Sequence, residues 1–450
     1  MLKVDHVAII GGGFSGALLA INLLRHGNIR VTLVERRLDR LGRGLAYGAA
    51  QADHILNVRA ANMSALPDQP GHFVDWLSTN GLGNEGSFAT RHDYGSYLCA
   101  MLEAARNAVG ERLTLRTDEA MDVKPAARGA YVALKSGTTV AADLVVIAPG
   151  NLPPHDLGAF VDMSRPLYFN DPWATDISNG LDKHETVLLL GSGLTAVDCA
   201  LSLDGTGFRG RIIALSRRGL VPHAHAPAPA FSARNDSPGG SASVLVRAVR
   251  HRAVEIGWRN AVDELRPFTQ DLWRGANLVE RRRFLHHLRP YWDVHRHRIA
   301  PQVAARLDRL RDQKRLEIIA AKIVRATAAE GCLTVEIRRR GRDATEVLRI
   351  ARTVNCTGPL GDLRRTTEPL LRTLSSRGEI RADPLAIGID VDRQCRAIAS
   401  NGDPQERLYV VGPMTRGAHW EIVAVPDIRR QVWTLARLLT NAHWVEAEGL

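Results

Sequence analysis

The chain has 450 residues, enough for one large or two medium hydrophobic cores, and its 45% hydrophobic and 24% charged residues are typical of a soluble globular protein. No apolar run is long enough to span a bilayer, and the five cysteines lie far apart without a Cys-x-x-Cys pair, which excludes a zinc ribbon and a dithiol redox centre. We therefore expect a cytoplasmic protein without a metal. The net charge of +11 would suit an acidic partner, but the arginines are spread along helical stretches, which favours a solvated surface.

The first predicted element is a short apolar strand at residues 7 to 10 that ends in glycines spaced Gly-x-Gly-x-x-Gly. Gly11 permits a tight turn, Gly13 lets the backbone approach a pyrophosphate, and Gly16 lets the following helix pack on the strand. The next apolar run ends at Glu35, nineteen residues after Gly16. An acid at that distance accepts hydrogen bonds from a ribose, so this stretch predicts a dinucleotide site.

A second unit of the same kind follows farther along the chain. Residues 143 to 150 predict a buried strand that ends in Pro-Gly, and residues 151 to 179 predict a linker. Residues 186 to 190 then predict a strand that leads into Gly191 and Gly193, and the next strand ends at Arg217. Arginine can donate two hydrogen bonds to a 2′-phosphate, which an acid would repel, so the second site is predicted to bind NADPH.

The remaining segments alternate between irregular and regular structure. Residues 221 to 243 predict an irregular loop rich in proline and glycine, and residues 243 to 313 predict three or four helices. Strand-to-glycine turns are predicted at 353–359 and 408–413, and a last helix at 426–439. Two nucleotide units separated by a helical segment therefore make up most of the chain.

The order of these motifs resembles the two-dinucleotide-binding flavoprotein superfamily. Three shorter motifs are similar to the bacterial FAD/NAD(P)-binding group of that superfamily: Gly-Arg-Gly-Leu-Ala-Tyr at 42–47, Leu-Asn-Val-x-Ala-x-x-Met-Ser at 56–64 and Trp-Glu-x-x-x-Val-Pro-Asp-Ile-Arg at 420–429. The resemblance implies an α/β fold with two Rossmann-like domains. A discontinuous FAD-binding domain would comprise 1–178 and 350–450, and an NAD(P)H-binding domain 179–349, with a helical insertion at 222–315.

The resemblance also implies which residues bind the cofactors. FAD is expected to contact Gly11, Gly13, Phe14, Ser15, Gly16, Glu35, Arg36, Arg43, Asn57, Met63, Arg91 and Gly412, with cofactor contacts also at Gly150 and Gly358. NADPH is expected to contact Gly191, Gly193, Thr195 and Arg217. The chain departs from the superfamily pattern in having Ala148-Pro149-Gly150 for Ala-Thr-Gly and Gly412-Pro413 for Gly-Asp. Residues 168–173 also lack the signature of Baeyer–Villiger and flavin-containing monooxygenases.

The activity implied by the resemblance is that of an NADPH-dependent single-component monooxygenase. It would use O₂ to hydroxylate a small polar or nitrogen-containing metabolite through a C4a-hydroperoxyflavin. One alternative is an NAD(P)H–FAD reductase that passes electrons to a quinone or a partner protein. Another is an FAD-containing module that binds nucleic acid through its basic helices.

Candidates for the substrate pocket lie at the end of the last predicted strand and in the irregular loop. Trp420 and Glu421 follow the strand end that is expected to face the flavin, and His223 lies in the loop. Arg91 and Arg416 could add positive charge. No catalytic residue is assigned, and the histidines between 223 and 297 lack the spacing of a metal site. Whether the protein forms an oligomer stays open.

Overall fold

The computed structural model describes residues 4–48, 54–227, 236–329 and 331–442. Within these ranges the strands are β1 His6–Ile10, β2 Arg30–Glu35, β3 Leu113–Thr117, β4 Ala120–Pro125, β5 Ala130–Leu134, β6 Thr139–Ala142, β7 Leu144–Ile147, β8 Tyr168–Phe169, β9 Thr186–Leu190, β10 Arg211–Ser216, β11 Leu316–Ala329, β12 Cys332–Arg339, β13 Thr345–Ile350, β14 Arg352–Asn355, β15 Arg396–Ile398 and β16 Pro404–Val410.

The α-helices alternate with these strands and cluster between β10 and β11. They are α1 Phe14–His26, α2 Gly44–Gly48, α3 His72–Thr79, α4 Arg91–Val109, α5 Leu194–Gly205, α6 Ala242–Ile256, α7 Trp258–Asp263, α8 Thr269–Gly275, α9 Leu278–Arg283, α10 Arg289–Arg296, α11 Pro301–Asp312, α12 Pro369–Ser376 and α13 Val425–Leu439. None of the helices in the described residues combines the length and the apolar character that a transmembrane span requires.

The first sheet has six strands in the order β15-β16-β7-β1-β2-β3. All its pairs are parallel except the edge pair β15–β16, and Val7 of β1 lies opposite Val31 on one side and Leu144 on the other. Helices α1, α4 and α13 bury one face of this sheet, and the small antiparallel sheet β4-β5-β6 with α12 buries the other. Because both faces are covered, the central strands are continuously apolar.

The second sheet has seven strands in the order β13-β12-β11-β10-β9-β14-β8. Strands β11, β10, β9, β14 and β8 are paired in parallel in that order, and β11, β12 and β13 form an antiparallel extension. Strands β8 and β14 belong to this sheet, with Thr353 opposite Leu188, although the sequence-based bounds 179–349 leave both strands in the first domain. The two parallel sheets confirm the predicted α/β fold class, whereas the domain bounds themselves stay a prediction.

In the described part of the helical insertion there are six α-helices, α6 to α11, where the sequence predicted three or four. Gly257 ends α6 with a φ of +78°, and prolines occupy the first turns of the short helix Arg266–Phe268, of α10 and of α11. Gly257 and Pro267 therefore separate short helices, whereas α9 continues into α10 through a π-helical turn at Phe284–Leu288. Of the irregular loop predicted at 221–243, residues 228–235 lie outside the described residues.

Candidate cofactor and substrate sites

The first glycine turn lies where β1 passes into α1, at the carboxyl edge of the first sheet. Gly11 has a φ of +100°, and a Cβ there would overlap the carbonyl oxygen of Ala148. A Cβ at Gly16 would overlap the carbonyl oxygen of Gly11, so strand and helix can pack this closely only without side chains. Gly13 is the N-cap of α1 and no side chain caps that end. The helix therefore presents uncapped N–H groups of the kind that bind a pyrophosphate.

Glu35 ends β2 directly beside this turn. Its carboxylate accepts hydrogen bonds from the N–H of Gly12 at 2.8 Å and from the N–H of Arg37 at 3.0 Å. A Cβ on Gly12 would lie 2.8 Å from the Cβ of Glu35. An ionised carboxylate has about four lone-pair sites, so these two bonds leave capacity for ribose hydroxyls. The structure brings Glu35 and the first glycine turn together.

Arg36 and Met63, two other residues predicted to bind FAD, make contacts with the protein itself. The guanidinium of Arg36 pairs with Glu368 at 2.8 Å and with Glu119 at 3.3 Å. The hydrogen bond from Arg36 to Glu368 is the main reason that the pKa of Arg36 is raised. Met63 is 2% exposed and packs in the hydrophobic core of the first sheet.

Arg43 lies on a loop that crosses the first glycine turn. A Cβ on Gly13 would be 3.0 Å from the Cα of Gly44, which measures how closely the loop approaches. The Nε–H of Arg43 donates to Cys99 Sγ at 3.1 Å. The structure therefore places Arg43 beside the turn, with its guanidinium held by α4.

The turn that follows β16 meets the start of α1. Gly412 has a φ of +85°, its N–H donates to Gln431 Oε1 at 2.8 Å, and a Cβ there would lie 2.6 Å from Ser15 Oγ. The ring of Phe14, next to Ser15, packs edge-to-face with the ring of Tyr47, and their centroids are 5.9 Å apart. The structure thus gathers Phe14, Ser15 and Gly412 at one end of α1.

Arg91 and Asn57 lie in the contact between the two sheets' units. Arg91 pairs with Asp198 of α5 at 2.5 Å, and the side chains are 21% and 9% exposed. The carbonyl oxygen of Asn57 accepts a hydrogen bond from His225 Nε2 at 2.9 Å. Both predicted FAD contacts therefore bind groups of the second unit and its adjoining loop.

The second glycine turn lies where β9 passes into α5. Gly191 has a φ of +127°, and a Cβ there would be 2.5 Å from the carbonyl oxygen of Cys356. Gly193 is the N-cap of α5 without a side-chain cap, and a Cβ on it would meet no atom within 4 Å. Thr195 is half-buried in the first turn of that helix. This end of α5 also offers uncapped N–H groups to an anion.

Gly150 and Gly358 occupy corresponding turns of the two sheets. Their φ values are +67° and +92°, and a Cβ on either would meet no atom within 4 Å. Gly150 follows β7, beside the first glycine turn, whereas Gly358 follows β14, beside the second.

Arg217 lies at the carboxyl end of β10, next to the second glycine turn. Ser192 Oγ donates to the carbonyl oxygen of Leu220 at 2.5 Å and lies 2.8 Å from Ser216 Oγ, so the loop after β10 is tied to the turn. The side chain of Arg217 is exposed and lines a cleft of about 370 Å³. The structure therefore brings the second turn and Arg217 together.

Trp420 and Glu421 connect the first domain to the helical insertion. Trp420 stacks on Trp273 with ring centroids 4.5 Å apart. Glu421 has a φ of +62°, and its buried carboxylate accepts hydrogen bonds from Trp292 Nε1 at 2.6 Å and from Arg296 Nε at 3.2 Å. A positive φ is uncommon at a non-glycine residue, and strained residues of this kind are found preferentially at functional sites.

His223 packs against the other side of the same helix, α10. Its ring centroid is 4.7 Å from that of His295 and 5.0 Å from that of Trp258. Burial, followed by the nearby His295, lowers the pKa of His223. The described contacts do not join His223 directly to Trp420 or Glu421, but His223 and Glu421 both contact α10.

Three charged groups near the end of β16 have strongly shifted pKa values, each mainly through burial. The pKa of Arg416 falls to about 10, that of His419 falls to about 4 with a contribution from Arg274, and that of Asp427 rises to about 6 with a contribution from Glu421. Asp427 Oδ2 is buried and has no hydrogen-bond partner within the described residues. Strongly shifted pKa values are found preferentially at functional sites. Sequence reasoning did not single out His419 or Asp427, although the motif at 420–429 contains Asp427.

Comparisons with known proteins agree with this geometry. Residues 8–152 match the family model described as FAD-NAD(P)-binding, and no curated protein matches the chain. An L-lysine 6-monooxygenase from Pseudomonas syringae is 19% identical, with a TM-score of 0.67 over 98% of this chain and 100% of that chain. An ornithine hydroxylase from Pseudomonas aeruginosa is 16% identical, with a TM-score of 0.67 over 98% and 99%. A thioredoxin reductase from Lactococcus lactis is 12% identical, with a TM-score of 0.54 over 98% of each chain.

The TM-scores of these structures are all above 0.5, and at identities below 25% they establish similarity of fold alone. The match over residues 8–152 covers the first glycine turn, Glu35 and the turn at Gly150. The family resemblance seen in the sequence is thereby confirmed. The chain therefore has the fold of these flavoproteins, and its residues 8–152 match the FAD-NAD(P)-binding family model.

Proposed function

We propose that this protein is an FAD- and NADPH-dependent monooxygenase that hydroxylates a small nitrogen-containing metabolite. The observation that carries the proposal is a pair of glycine turns, each at the uncapped start of a helix. Glu35 accompanies the first turn and Arg217 the second. A carboxylate suits the hydroxyls of a ribose, and a guanidinium suits a 2′-phosphate.

The residues at the first turn fit FAD. The start of α1 would bind the pyrophosphate, Glu35 would accept hydrogen bonds from the ribose, and Gly412 leaves room where a side chain would meet Ser15. Bound FAD supplies hydride and oxygen chemistry without a protein nucleophile. The chain then has to orient the substrate and exclude water, and the contacts of Trp420 with the insertion close that side of the site.

A nitrogen-containing substrate is supported by two kinds of observation. The similar structures include an ornithine hydroxylase, an L-lysine 6-monooxygenase and a cadaverine monooxygenase. In this chain, Asp427 lies in the first turn of α13, and its buried Oδ2 has no hydrogen-bond partner in the described residues, whereas the neighbouring Glu421 is already paired with Arg296. A negative charge in a region of low dielectric constant stabilises an ammonium group.

The test is turnover by the purified, flavin-loaded protein supplied with NADPH. L-ornithine, L-lysine and cadaverine serve as substrates, and glutarate, which has no amine, is the matched negative control. We expect faster O₂ uptake with one of the amines, a product heavier by one oxygen atom, and little hydrogen peroxide.

Other results would point to the alternative functions. Oxidation of NADPH that is stimulated by a quinone, with no oxygen in any product, would identify a reductase. Purified protein that takes up no flavin and binds DNA or RNA with a steep dependence on salt would identify a nucleic-acid-binding module. Either result would overturn the proposal.

A further inference from the structure

The cleft beside Arg217 is strongly basic. It has a volume of about 370 Å³ and opens at the carboxyl end of β10, between the loop that follows this strand and the antiparallel strands β11 to β13. Seven of its ten lining residues are cationic and none is acidic. A concave surface lined by one sign of charge concentrates ions of the opposite sign. The cationic residues are Arg217, Arg218, Lys322, Arg338, Arg339, Arg340 and Arg342.

Most of this charge is not neutralised by the protein. Arg339 pairs with Glu346 at 2.8 Å and with Glu317 at 3.4 Å. Among the described residues, none of the other cations of the cleft forms an ion pair with a carboxylate. Because these cations line one concave surface, their combined charge favours the binding of an anion there. If Arg217 alone bound an anion at the end of β10, the other six cations of the cleft would have no part in binding it.

Both walls of the cleft are fixed on the same strand. The N–H of Arg340 donates to the carbonyl oxygen of Ala320 in β11 at 2.8 Å. On the other wall, Gly219 has a φ of +64°, and a Cβ on it would lie 3.1 Å from the Cβ of Ala320. The N–H of Gly219 also donates to Ser216 Oγ at 2.9 Å. The loop that carries Arg217 and the hairpin that carries Arg340 therefore meet at one point of β11.

We infer that the hairpin between β12 and β13, through Arg338, Arg340 and Arg342, forms the second half of the site for the adenosine 2′-phosphate of NADPH. This inference rests on the proposed function, because it takes NADPH as the ligand. A phosphomonoester carries about two negative charges and three strong acceptor oxygens, more than one guanidinium can satisfy. Arg217 meets the phosphate from the β10 side, and the hairpin arginines meet it from the β11–β13 side.

A pair of double variants tests the inference. Arg338→Gln/Arg340→Gln removes two charges from the cleft, and Arg325→Gln/Arg349→Gln removes two exposed charges from β11 and β13 outside it. Calorimetric titration of the flavin-loaded proteins uses adenosine 2′,5′-bisphosphate and AMP, which differ only in the 2′-phosphate. We expect the Kd of the bisphosphate to rise roughly tenfold to a hundredfold in the first variant, as for lost charge-assisted hydrogen bonds. The Kd of AMP, and both Kd values in the second variant, should change less than about twofold.

Three outcomes would overturn the inference. An unchanged Kd for the bisphosphate would mean that the loop after β10 suffices. Equal weakening in the two double variants, or equal weakening for bisphosphate and AMP, would mean that only overall charge matters. A loss of affinity for a random DNA duplex without a loss for the bisphosphate would assign the cleft to nucleic acid.

The binding result is independent of the reaction that the protein catalyses. Flavin content and circular dichroism show whether each variant is folded. If no amine is hydroxylated but the bisphosphate still discriminates between the two double variants, the proposed function fails and the hairpin's role stands. If an amine is hydroxylated and the bisphosphate binds equally to all proteins, the reverse holds. In the anaerobic reduction of the flavin, the hairpin variant should show a higher KM for NADPH with an unchanged rate at saturation.

Discussion

Replacing Glu421 by glutamine should loosen the helical insertion from the first domain. The side chain of Glu421 is 2% exposed and that of its partner Arg296 is 11% exposed. Removing one member of a buried pair leaves an uncompensated charge, which costs about 3–5 kcal/mol. The glutamine keeps an amide oxygen that can accept the hydrogen bond from Trp292 Nε1–H. We therefore expect the free energy of local unfolding to fall by about 3 kcal/mol, the lower end of that range.

Hydrogen exchange of peptides from α10 measures this loss, because their amide protons report the free energy of local opening. Arg296→Met removes the buried cation, so Glu421→Gln/Arg296→Met should be less destabilised than the sum of the single variants, with a coupling energy of about 2 kcal/mol. Glu255→Gln is the control, since Glu255 forms an exposed pair with Arg252 on α6, and it should leave exchange in α10 unchanged. A coupling energy below about 0.5 kcal/mol would refute the claim that this pair holds the insertion.

Two further predictions concern the glycine turns and a buried acid. Gly16→Ala should prevent flavin uptake and lower the melting temperature, because its Cβ would overlap the carbonyl oxygen of Gly11, whereas Gly193→Ala should fold normally because no atom lies within 4 Å of its Cβ. The pKa of Asp427 is raised to about 6, chiefly by burial, so the folded state binds more protons than the unfolded state between about pH 4 and pH 6, and stability falls as the pH rises through this window. Asp427→Asn should therefore exceed the parent protein in stability above pH 6 by up to about 3 kcal/mol, and the two urea-unfolding curves should coincide near pH 4. A constant difference between them at all pH values would contradict this assignment.

The nucleotide turns could be predicted because their requirements are local. Gly11 and Gly16 are needed where a strand and a helix touch within six residues, and their spacing carries that information in the sequence. Glu35 and Arg217 follow the next strand in each unit, so strand length alone places them at the correct edge of the sheet. The same reasoning gave the α/β class.

The partners of the predicted arginines could not be read in this way. Arg36 binds Glu368, which is 332 positions away, and Arg91 binds Asp198, which is 107 positions away. The first pair forms because the chain returns to the first domain after completing the second, and the other forms because α4 of the first domain contacts α5 of the second unit. A basic residue next to a nucleotide motif can therefore bind a phosphate or form an ion pair with a distant carboxylate. Only the tertiary structure distinguishes the two roles.

A contact between two cysteines could not be predicted from the sequence either. Their separation in sequence argued against a dithiol centre, yet Cys199 and Cys356 lie with their Sγ atoms 3.7 Å apart, both buried beside the second glycine turn. The contact couples α5 to β14, which joins the second sheet only after the helical insertion. Since both thiols are buried in the second unit, the contact does not supply an exposed dithiol for a protein substrate.

The choice between a hydroxylase and a reductase depends on residues outside the nucleotide turns, since similar structures with the same fold include both activities. In this chain such residues converge where α10 and the end of β16 meet. Glu421 adopts a left-handed backbone conformation there to place its carboxylate against α10, and Asp427 remains beside it with an oxygen that lacks a partner in the described part of the chain. Both features carry an energetic cost that packing alone does not require. A site that orders a cationic substrate and shields it from water would account for that cost, whereas transfer of electrons to a diffusing quinone would not.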